Sequence, residues 1–220
     1  MATNGLVFLV DVDNTLVQND AVKDELDDRI RQAIGAEQTE IFWQIYEAVR
    51  RESEYVDYPV TLRRYREQAP NERGFCHVSD DVLGWPYERW LYPSALEVLH
   101  HLNTLGRAVI LSDGDPVYQP AKIARAGIAD AVDDVVLVFA HKEAHLDELQ
   151  RRYPASRYVI VDDKPDILAR VKRRWGERVV TVHVLQGKYA QVPLPEGELL
   201  PDRTVENIAA LLRLRREDLE

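Results

Sequence analysis

Two acidic residues stand directly behind a short apolar run near the beginning of the sequence. Residues 6–10 read LVFLV, and Asp11 and Asp13 follow at once. A continuous apolar run of this length is typical of a strand that is covered on both faces. Such a strand would hold the first acid rigidly, which favours a chemical role over simple capping of the following turn.

The next apolar runs along the chain also end in polar residues. These residues are a serine, a glycine, a lysine and several acids: Ser112, Asp113, Gly114, Asp115, Lys142, Asp162, Asp163 and Asp166. In open α/β sheets the ligand binds outside the carboxyl ends of the strands. We therefore expect these residues to meet at one edge of the sheet.

That edge would collect as many as seven carboxylates. Like charges that are packed together oppose one another's ionisation. Lys142 and Lys164 supply part of the compensating positive charge, and a bound cation is the natural source of the rest. Ligation by oxygen atoms alone selects a hard ion such as Mg²⁺, which completes its shell with water and substrate phosphate. The sequence therefore predicts phosphate chemistry assisted by Mg²⁺.

The elements that would position these residues follow from hydrophobic patterning. Five apolar runs rich in β-branched residues predict strands at residues 6–10, 108–111, 135–139, 158–161 and 179–184. Helical patterns lie between the later runs, at residues 94–105, 116–126, 142–152 and 166–175. This alternation predicts an α/β protein with a doubly wound, Rossmann-like parallel sheet of about five strands.

The interval between the first two strands breaks the alternation. It carries helical patterns at residues 22–34, 39–51, 60–69 and 78–90 and no convincing strand. Because this is too long for an ordinary crossover, we predict an inserted, all-helical cap domain. Its predicted bounds are residues 18–89, and the α/β core takes residues 1–17 and 90–220. Within that core, residues 204–219 predict a final amphipathic helix.

One predicted cap helix has a polar stripe beside its apolar one. Trp43, Tyr46 and Arg50 share that stripe. They could face a cleft and select the substrate, with Arg50, Arg63 or Arg64 meeting an anionic group. Half-buried packing is the alternative interpretation.

Four motifs follow the strands in a recognisable order. They are DVDNT after the first strand, ILSDG at the second, FAHK after the third and VIVDDKPD at the fourth. In order and spacing they resemble the haloacid dehalogenase (HAD) superfamily, and four ordered motifs are more specific than any one. The resemblance covers residues 1–17 and 90–190, roughly, and the helical insert falls where that superfamily places a cap.

The resemblance implies a role for each motif residue. Asp11 would be a nucleophile that attacks phosphorus and forms an aspartyl-phosphate. Asp13 would protonate the leaving alcohol and then activate water. Ser112 and the Gly114 amide would hold phosphoryl oxygens, while Lys142 would neutralise charge on the nucleophile and the phosphoryl group.

The resemblance also implies a metal site. Mg²⁺ would bind Asp11, the backbone carbonyl of Asp13 and one acid of the fourth motif. Two registers are open there, because strand alternation points Asp162 and Asp163 in opposite directions. We favour Asp163, keep Asp162 as the alternate, and expect Asp166 beside the ligands without touching the ion.

The predicted function is a Mg²⁺-dependent phosphatase acting on a small phosphorylated metabolite. Asp13 favours this over a haloacid dehalogenase, because members that cleave carbon–halogen bonds lack an acid at this position. A dehalogenase or a phosphotransferase of the same fold remains an alternative. From another class, a receiver-like signalling domain or a catalytically idle binding protein is also open.

Net charge, the length of the apolar segments and the cysteine count indicate which partners and compartment the protein can have. The formal net charge of −10 disfavours a polyanionic partner such as nucleic acid. No segment approaches the length of a membrane span, and the apolar run at residues 6–10 is too short for the core of a signal peptide. The single cysteine, Cys76, is compatible with a reducing compartment. We therefore expect a cytoplasmic enzyme with no membrane partner, and the sequence leaves the oligomeric state open.

Overall fold

The computed structural model describes residues 5–194 and 196–219. A parallel sheet with the strand order β3-β2-β1-β4-β5-β6 runs through the molecule. The strands are β1 (Leu6–Val10), β2 (Arg107–Asp113), β3 (Val136–Phe139), β4 (Arg157–Asp162), β5 (Val179–Val184) and β6 (Arg203–Val205). The prediction of a doubly wound parallel α/β sheet is confirmed, with six strands in place of about five.

Strand β1 is central and positions the site. Its neighbours are β2 on one side and β4 on the other, and Val10 pairs with Ile110 and Val161. The chain therefore winds outward from β1 in both directions, which creates a crevice at the carboxyl ends of the central strands. The ends of β1, β2 and β4 carry Asp11, Ser112 and Asp162.

The helices after the first strand fall into two groups. Those between the first two strands are α1 (Asn19–Ser53), α2 (Tyr58–Gln68), α3 (Phe75–Gly84) and α4 (Ala95–Leu105). The later ones are α5 (Tyr118–Arg125), α6 (Ile128–Ala131), α7 (Leu146–Arg152) and α8 (Pro165–Trp175). Among the described residues we find no helix with both the length and the apolar character that a membrane span requires.

Alternate residues of each central strand pack into different cores. In β1, Phe8 and Val10 face the core that includes α1 to α6, whereas Val7 and Leu9 face the core formed with α7 and α8. Side chains alternate across a strand, so a continuous apolar run is what burial on both faces requires. This is why the strands are readable in the sequence.

The region between β1 and β2 is helical, as predicted. The patterns at residues 22–34 and 39–51 belong to one long element, α1, which is interrupted at Gly35. Gly35 has φ +79° and ψ 165°, a conformation that only glycine adopts without strain, so the two predicted segments are real but joined. The pattern at residues 78–90 ends earlier, because Pro86 follows α3 and leads into a 3-10 helix, Tyr87–Trp90. The division into cap and core at residues 17/18 and 89/90 stays a prediction.

The predicted amphipathic helix at residues 204–219 is wrong. The segment forms strand β6 and two 3-10 helices, Ile208–Arg213 and Arg216–Asp218. Strand β5 would otherwise present an unpaired edge, and Arg203 pairs with Val182 there. The apolar residues that gave the helical pattern are nevertheless buried: Ile208, Leu211 and Leu214.

Candidate active site

Asp11 and Asp13 begin a tight turn at the end of β1. The Asp11 N–H donates to the Val161 carbonyl of β4 at 3.0 Å, which continues the sheet pairing as far as the acid itself. The chain then turns, and the N–H groups of Leu16 and Val17 both donate to the Val12 carbonyl at 2.9 Å. Asp11 is 5% exposed. The Asp13 side chain is 29% exposed and lines a cavity, so the two acids have different environments.

Lys142 is buried among carboxylates. It follows His141, whose left-handed φ of +56° turns the chain into a 3-10 helix, and its own N–H donates to Asp113 Oδ1 at 2.7 Å. The ammonium group donates to Asp11 Oδ1. It also lies 2.7 Å from Asp162 Oδ2, as an ion pair without hydrogen-bond alignment. Burial alone would lower the pKa of Lys142, but Asp11 and Asp162 outweigh it and raise the pKa well above the usual value.

Asp11, Asp162 and Asp163 form a buried acid cluster. Each offers one carboxylate oxygen, and the three oxygens lie within 4.8 Å of one another. Burial raises the pKa of Asp11 to about 6, against the opposing effect of Lys142. Burial, followed by repulsion from Asp11 and Asp162, raises the pKa of Asp163 to about 9. One lysine therefore does not balance the three acids of the acid cluster.

Several oxygens of the acid cluster lack a partner among the described residues. Asp11 Oδ2 and both oxygens of Asp163 are buried without a hydrogen bond. Asp162 is better satisfied, because Oδ1 accepts from the Lys164 N–H at 2.8 Å and Oδ2 pairs with Lys142. Buried oxygens that no donor meets are costly unless a cation binds them. The donor set fits a hard divalent cation, and Asp163 is the acid of the cluster with both oxygens free of hydrogen bonds from the described residues.

Ser112 lies near the end of strand β2 and Gly114 directly follows that strand, and the polar groups of both are partly engaged. Ser112 is 1% exposed, and its Oγ accepts from Gln119 Nε2 at 3.0 Å. The Gly114 N–H donates to the Phe139 carbonyl at 3.0 Å. Gly114 lines the cavity, but its N–H would have to exchange that bond to hold a phosphoryl oxygen. Its predicted role stays a prediction.

The structure does not gather all seven predicted acids. Asp113 accepts from the Lys142 N–H, and Asp115 Oδ1 accepts from the N–H groups of Val117 and Tyr118 at the start of α5. Asp166 is not among the three residues of the acid cluster, and the expectation that it supports the metal ligands stays a prediction. Its side chain is 58% exposed and accepts from Arg170 at 2.8 Å, since residues four apart face one another on α8.

Two residues of α5 that sequence reasoning missed hold Asp13. Lys122 is 3% exposed, donates to Asp13 Oδ1, and lies 2.7 Å from Asn19 Oδ1. Gln119 Nε2 donates to Asp13 Oδ2 at 3.2 Å. Both residues lie on the helix that follows residues 112–115 (SDGD), and a spacing of three places them on the same helix face. This spacing was the sequence signal that could have identified them.

A cavity of ≈ 200 Å³ opens above Asp13. Helix α1 contributes Tyr46 and Arg50 to its lining, as one of the two sequence interpretations proposed. Trp43 is not a lining residue, and its indole N–H donates to Asp27 at 2.6 Å. Arg64 pairs with Glu52 at 2.6 Å in an exposed position, so it does not face the cavity.

Comparison with known proteins places this arrangement in a family. No protein-family model matches the sequence, and no curated protein matches it. A solved structure from Burkholderia xenovorans LB400, assigned as a haloacid dehalogenase-like hydrolase, is 42% identical, with a TM-score of 0.88. The match covers 97% of this chain and 100% of that one. The chain belongs to the haloacid dehalogenase-like hydrolases.

More distant HAD-like neighbours share the fold alone. One is the L-2-haloacid dehalogenase from Xanthobacter autotrophicus with chloropropionic acid covalently bound, at 19% identity and a TM-score of 0.62, covering 96% of this chain and 98% of that one. Another is the HAD-hydrolase YfnB from Bacillus subtilis bound to magnesium, at 14% identity and a TM-score of 0.63, covering 96% and 100%. The sequence-based family assignment is confirmed.

Proposed function

We propose that this HAD-like hydrolase is a Mg²⁺-dependent phosphatase that hydrolyses a small phosphomonoester through an aspartyl-phosphate on Asp11. The observation that carries the proposal is the position of Asp13. Its carboxyl group faces the cavity and is held by Lys122 and Gln119. An acid held beyond the nucleophile suits a leaving alcohol, which needs a proton, whereas a halide does not.

In the first step Asp11 acts as the nucleophile. Lys142 holds Oδ1, which leaves Oδ2, without a hydrogen bond from the described residues, to attack phosphorus. The new bond joins Oδ2 to phosphorus, and the bond to the ester oxygen breaks. Because its pKa is raised only to about 6, Asp11 is ionised at neutral pH. Asp13 gives its proton to the departing alcohol oxygen.

In the second step Asp13 acts as a base. It takes a proton from water, the water oxygen attacks phosphorus, and the bond to Asp11 breaks to release inorganic phosphate. Lys142 stays beside Asp11 throughout and offsets negative charge on the phosphoryl group. Ser112 lies next to this path and would donate its hydroxyl to a phosphoryl oxygen.

Asp11 and Asp163 would hold the metal, together with the backbone carbonyl of Asp13. The partnerless oxygens of Asp163 support this choice over Asp162, which pairs with Lys142 and accepts from the Lys164 N–H. When bound, Mg²⁺ supplies positive charge that screens the Asp11 carboxylate from an anionic substrate.

The test is release of inorganic phosphate from a panel of small phosphomonoesters, with Mg²⁺ and with chelator. We expect turnover with Mg²⁺ alone, and a loss of at least about a thousandfold in Asp11→Asn, since a nucleophile cannot be replaced by an amide. Asp147→Asn is the matched control, because Asp147 is 73% exposed on α7 and pairs with Arg174.

Chloride release from 2-chloropropionate is measured in parallel. Chloride without phosphate would replace the proposal with a dehalogenase. Formation of a new phosphomonoester from an added acceptor alcohol, without release of inorganic phosphate, would indicate a phosphotransferase. If neither phosphate nor chloride is released but a phosphate mimic still binds, the result would favour a binding protein.

A further inference from the structure

One wall of the cavity carries three basic side chains. Lys23 and Arg50 come from α1, and Lys188 comes from the loop after β5. We refer to Lys23, Arg50 and Lys188 as the basic wall. Gly187 has φ +67° and lets the loop pass close to Asn14. A Cβ added at Gly187 would lie 2.4 Å from the Asn14 Cβ, so any other residue would clash there.

The basic wall is short of negative charge. Lys23 and Arg50 share one acid, Glu47, at 3.7 and 3.6 Å, and both distances exceed those of good hydrogen bonds. Lys188 lies 3.3 Å from Asp20. Three cations thus share two carboxylates, and Glu47 is not among the residues that line the cavity.

The three cations also act on one another. Burial lowers the pKa of Lys23, Glu47 opposes that change, and Lys188 and Arg50 lower the pKa further. The Lys23 ammonium is held over the ring of Tyr46, 4.6 Å from its centroid. An anion among these side chains would relieve their repulsion, and the aromatic contact would keep Lys23 in place to receive it.

Two other basic residues of the cavity lining each have one acid as a partner. Lys122 pairs with Asp13, and His141 Nε2 lies 2.9 Å from Glu54. Lys164 forms no ion pair within 4.0 Å with the described residues, and its ammonium lies 5.5 Å from the centroid of the Tyr189 ring; burial lowers its pKa, but Asp11 and Asp162 raise the pKa above the usual value. Among the described lining residues, the positive charge without a carboxylate of its own therefore lies on the basic wall and on Lys164.

We infer that the substrate carries a second anionic group, a carboxylate or a second phosphate, and that the basic wall binds it. This inference rests on the proposed phosphatase function, because it takes the first phosphoryl group to lie between Asp11 and Asp13. A cavity of ≈ 200 Å³ is below the usual size for drug-sized ligands, so the two anionic ends are joined by a short carbon chain.

The test compares 3-phosphoglycerate with glycerol 3-phosphate. The two esters share a three-carbon skeleton and differ in a carboxylate against a hydroxymethyl group. We expect kcat/KM to favour 3-phosphoglycerate by about tenfold or more, and Arg50→Gln to reduce that ratio by about tenfold. Lys23→Gln gives a second, independent reduction. Arg51→Gln keeps the ratio, because Arg51 is the exposed neighbour of Arg50 and does not line the cavity.

A third ester, the bisphosphate of 1,3-propanediol, distinguishes the two anions. Preference for it over 3-phosphoglycerate assigns the basic wall to a phosphate, and the reverse assigns it to a carboxylate. Equal kcat/KM values for all three esters in the wild type would overturn the inference and leave the phosphatase standing. So would an equal loss on 3-phosphoglycerate and glycerol 3-phosphate in Arg50→Gln, since the basic wall would then only attract the phosphoryl group.

Calorimetric binding separates this inference from the proposed function. Asp11→Asn is titrated with 3-phosphoglycerate and with glycerol 3-phosphate, before and after adding Arg50→Gln. If no ester is hydrolysed by the wild type but Arg50→Gln still weakens 3-phosphoglycerate selectively, the phosphatase fails and the anion site survives. Equal binding of both esters in both backgrounds overturns the anion site.

Discussion

The acid cluster is buried and does not line the cavity, the basic wall does line it, and the two groups hold their charges differently. Asp11, Asp162 and Asp163 are at most 5% exposed and crowd within 4.8 Å. The side chains of Lys23, Arg50 and Lys188 are 33%, 44% and 56% exposed. Desolvation therefore dominates the first group, whereas water and salt screen the second.

This difference separates reactivity from selectivity. In the acid cluster, burial raises the pKa of Asp163 to about 9, so ionisation there depends on a counter-ion being supplied. In the basic wall no single charge is indispensable, because each is partly hydrated and loosely paired. Changes in the acid cluster should stop the reaction, and changes in the basic wall should only alter which substrate reacts.

Of the three effects expected from this comparison, the largest distinguishes Asp163, directly after β4, from Asp166 in α8. Asp163→Asn should lower Mg²⁺-dependent turnover by at least about a hundredfold and raise the Mg²⁺ concentration needed for half-maximal rate, because it removes a buried anionic ligand. Asp166→Asn should change neither, since that carboxylate is exposed and pairs with Arg170. Similar losses of turnover in both variants would show that Asp166 supports the metal ligands.

A smaller effect is expected at Lys122, which lines the cavity and pairs with Asp13. Lys122→Met preserves length but leaves Asp13 without its buried cation, so kcat should fall by about tenfold with little change in KM. Lys122→Arg should recover part of the loss by keeping the charge. A melting temperature measured for each variant excludes unfolding as the cause, and a change confined to KM would argue that Lys122 binds substrate instead.

The smallest expected effect is a pH dependence of stability in chelator. The folded-state pKa of Asp163, about 9, lies above its usual value of 3.8, so the folded protein holds a proton that the unfolded chain has lost. The free energy of unfolding should therefore fall as pH rises from about 4 to about 9. Asp11 adds a fall in the same direction up to about 6.

Melting temperatures at about pH 5 and about pH 8, with and without Mg²⁺, check this prediction. Mg²⁺ should raise the melting temperature more at the higher pH, because fewer protons compete with it for the Asp11 and Asp163 carboxylates. Asp163→Asn should weaken the dependence of the melting temperature on pH, while Arg50→Gln should leave it unchanged. An unchanged slope in Asp163→Asn would place the buried proton elsewhere.

The strands and their acids were predictable because burial on both faces leaves a distinct pattern. Five of the six strands were found as continuous apolar runs, and Asp11, Ser112 and Asp162 follow from where those runs end. The tail at residues 204–219 was misassigned for a related reason. Its apolar spacing fits a helix, but an open edge of β5 recruits its first residues as a strand.

The contacts of the polar residues were less predictable than their positions. Asp113, Asp115 and Asp166 share the acidic character of Asp163, and only the fold shows that the first two accept backbone hydrogen bonds and the third faces solvent. Lys122 belongs to none of the four sequence motifs. Its ammonium meets Asp13, 109 positions earlier in the chain, because α5 packs beside the turn after β1.

The sequence by itself determined the family, the parallel sheet and the nucleophile candidate, since hydrophobic periodicity and motif order are local properties of the chain. Only the tertiary structure decided which carboxylates lose their water together, which lysine each one meets, and where positive charge is left unmatched. Those outcomes depend on distances between distant segments and on burial, and both set the free energy of a charge far more strongly than residue type does.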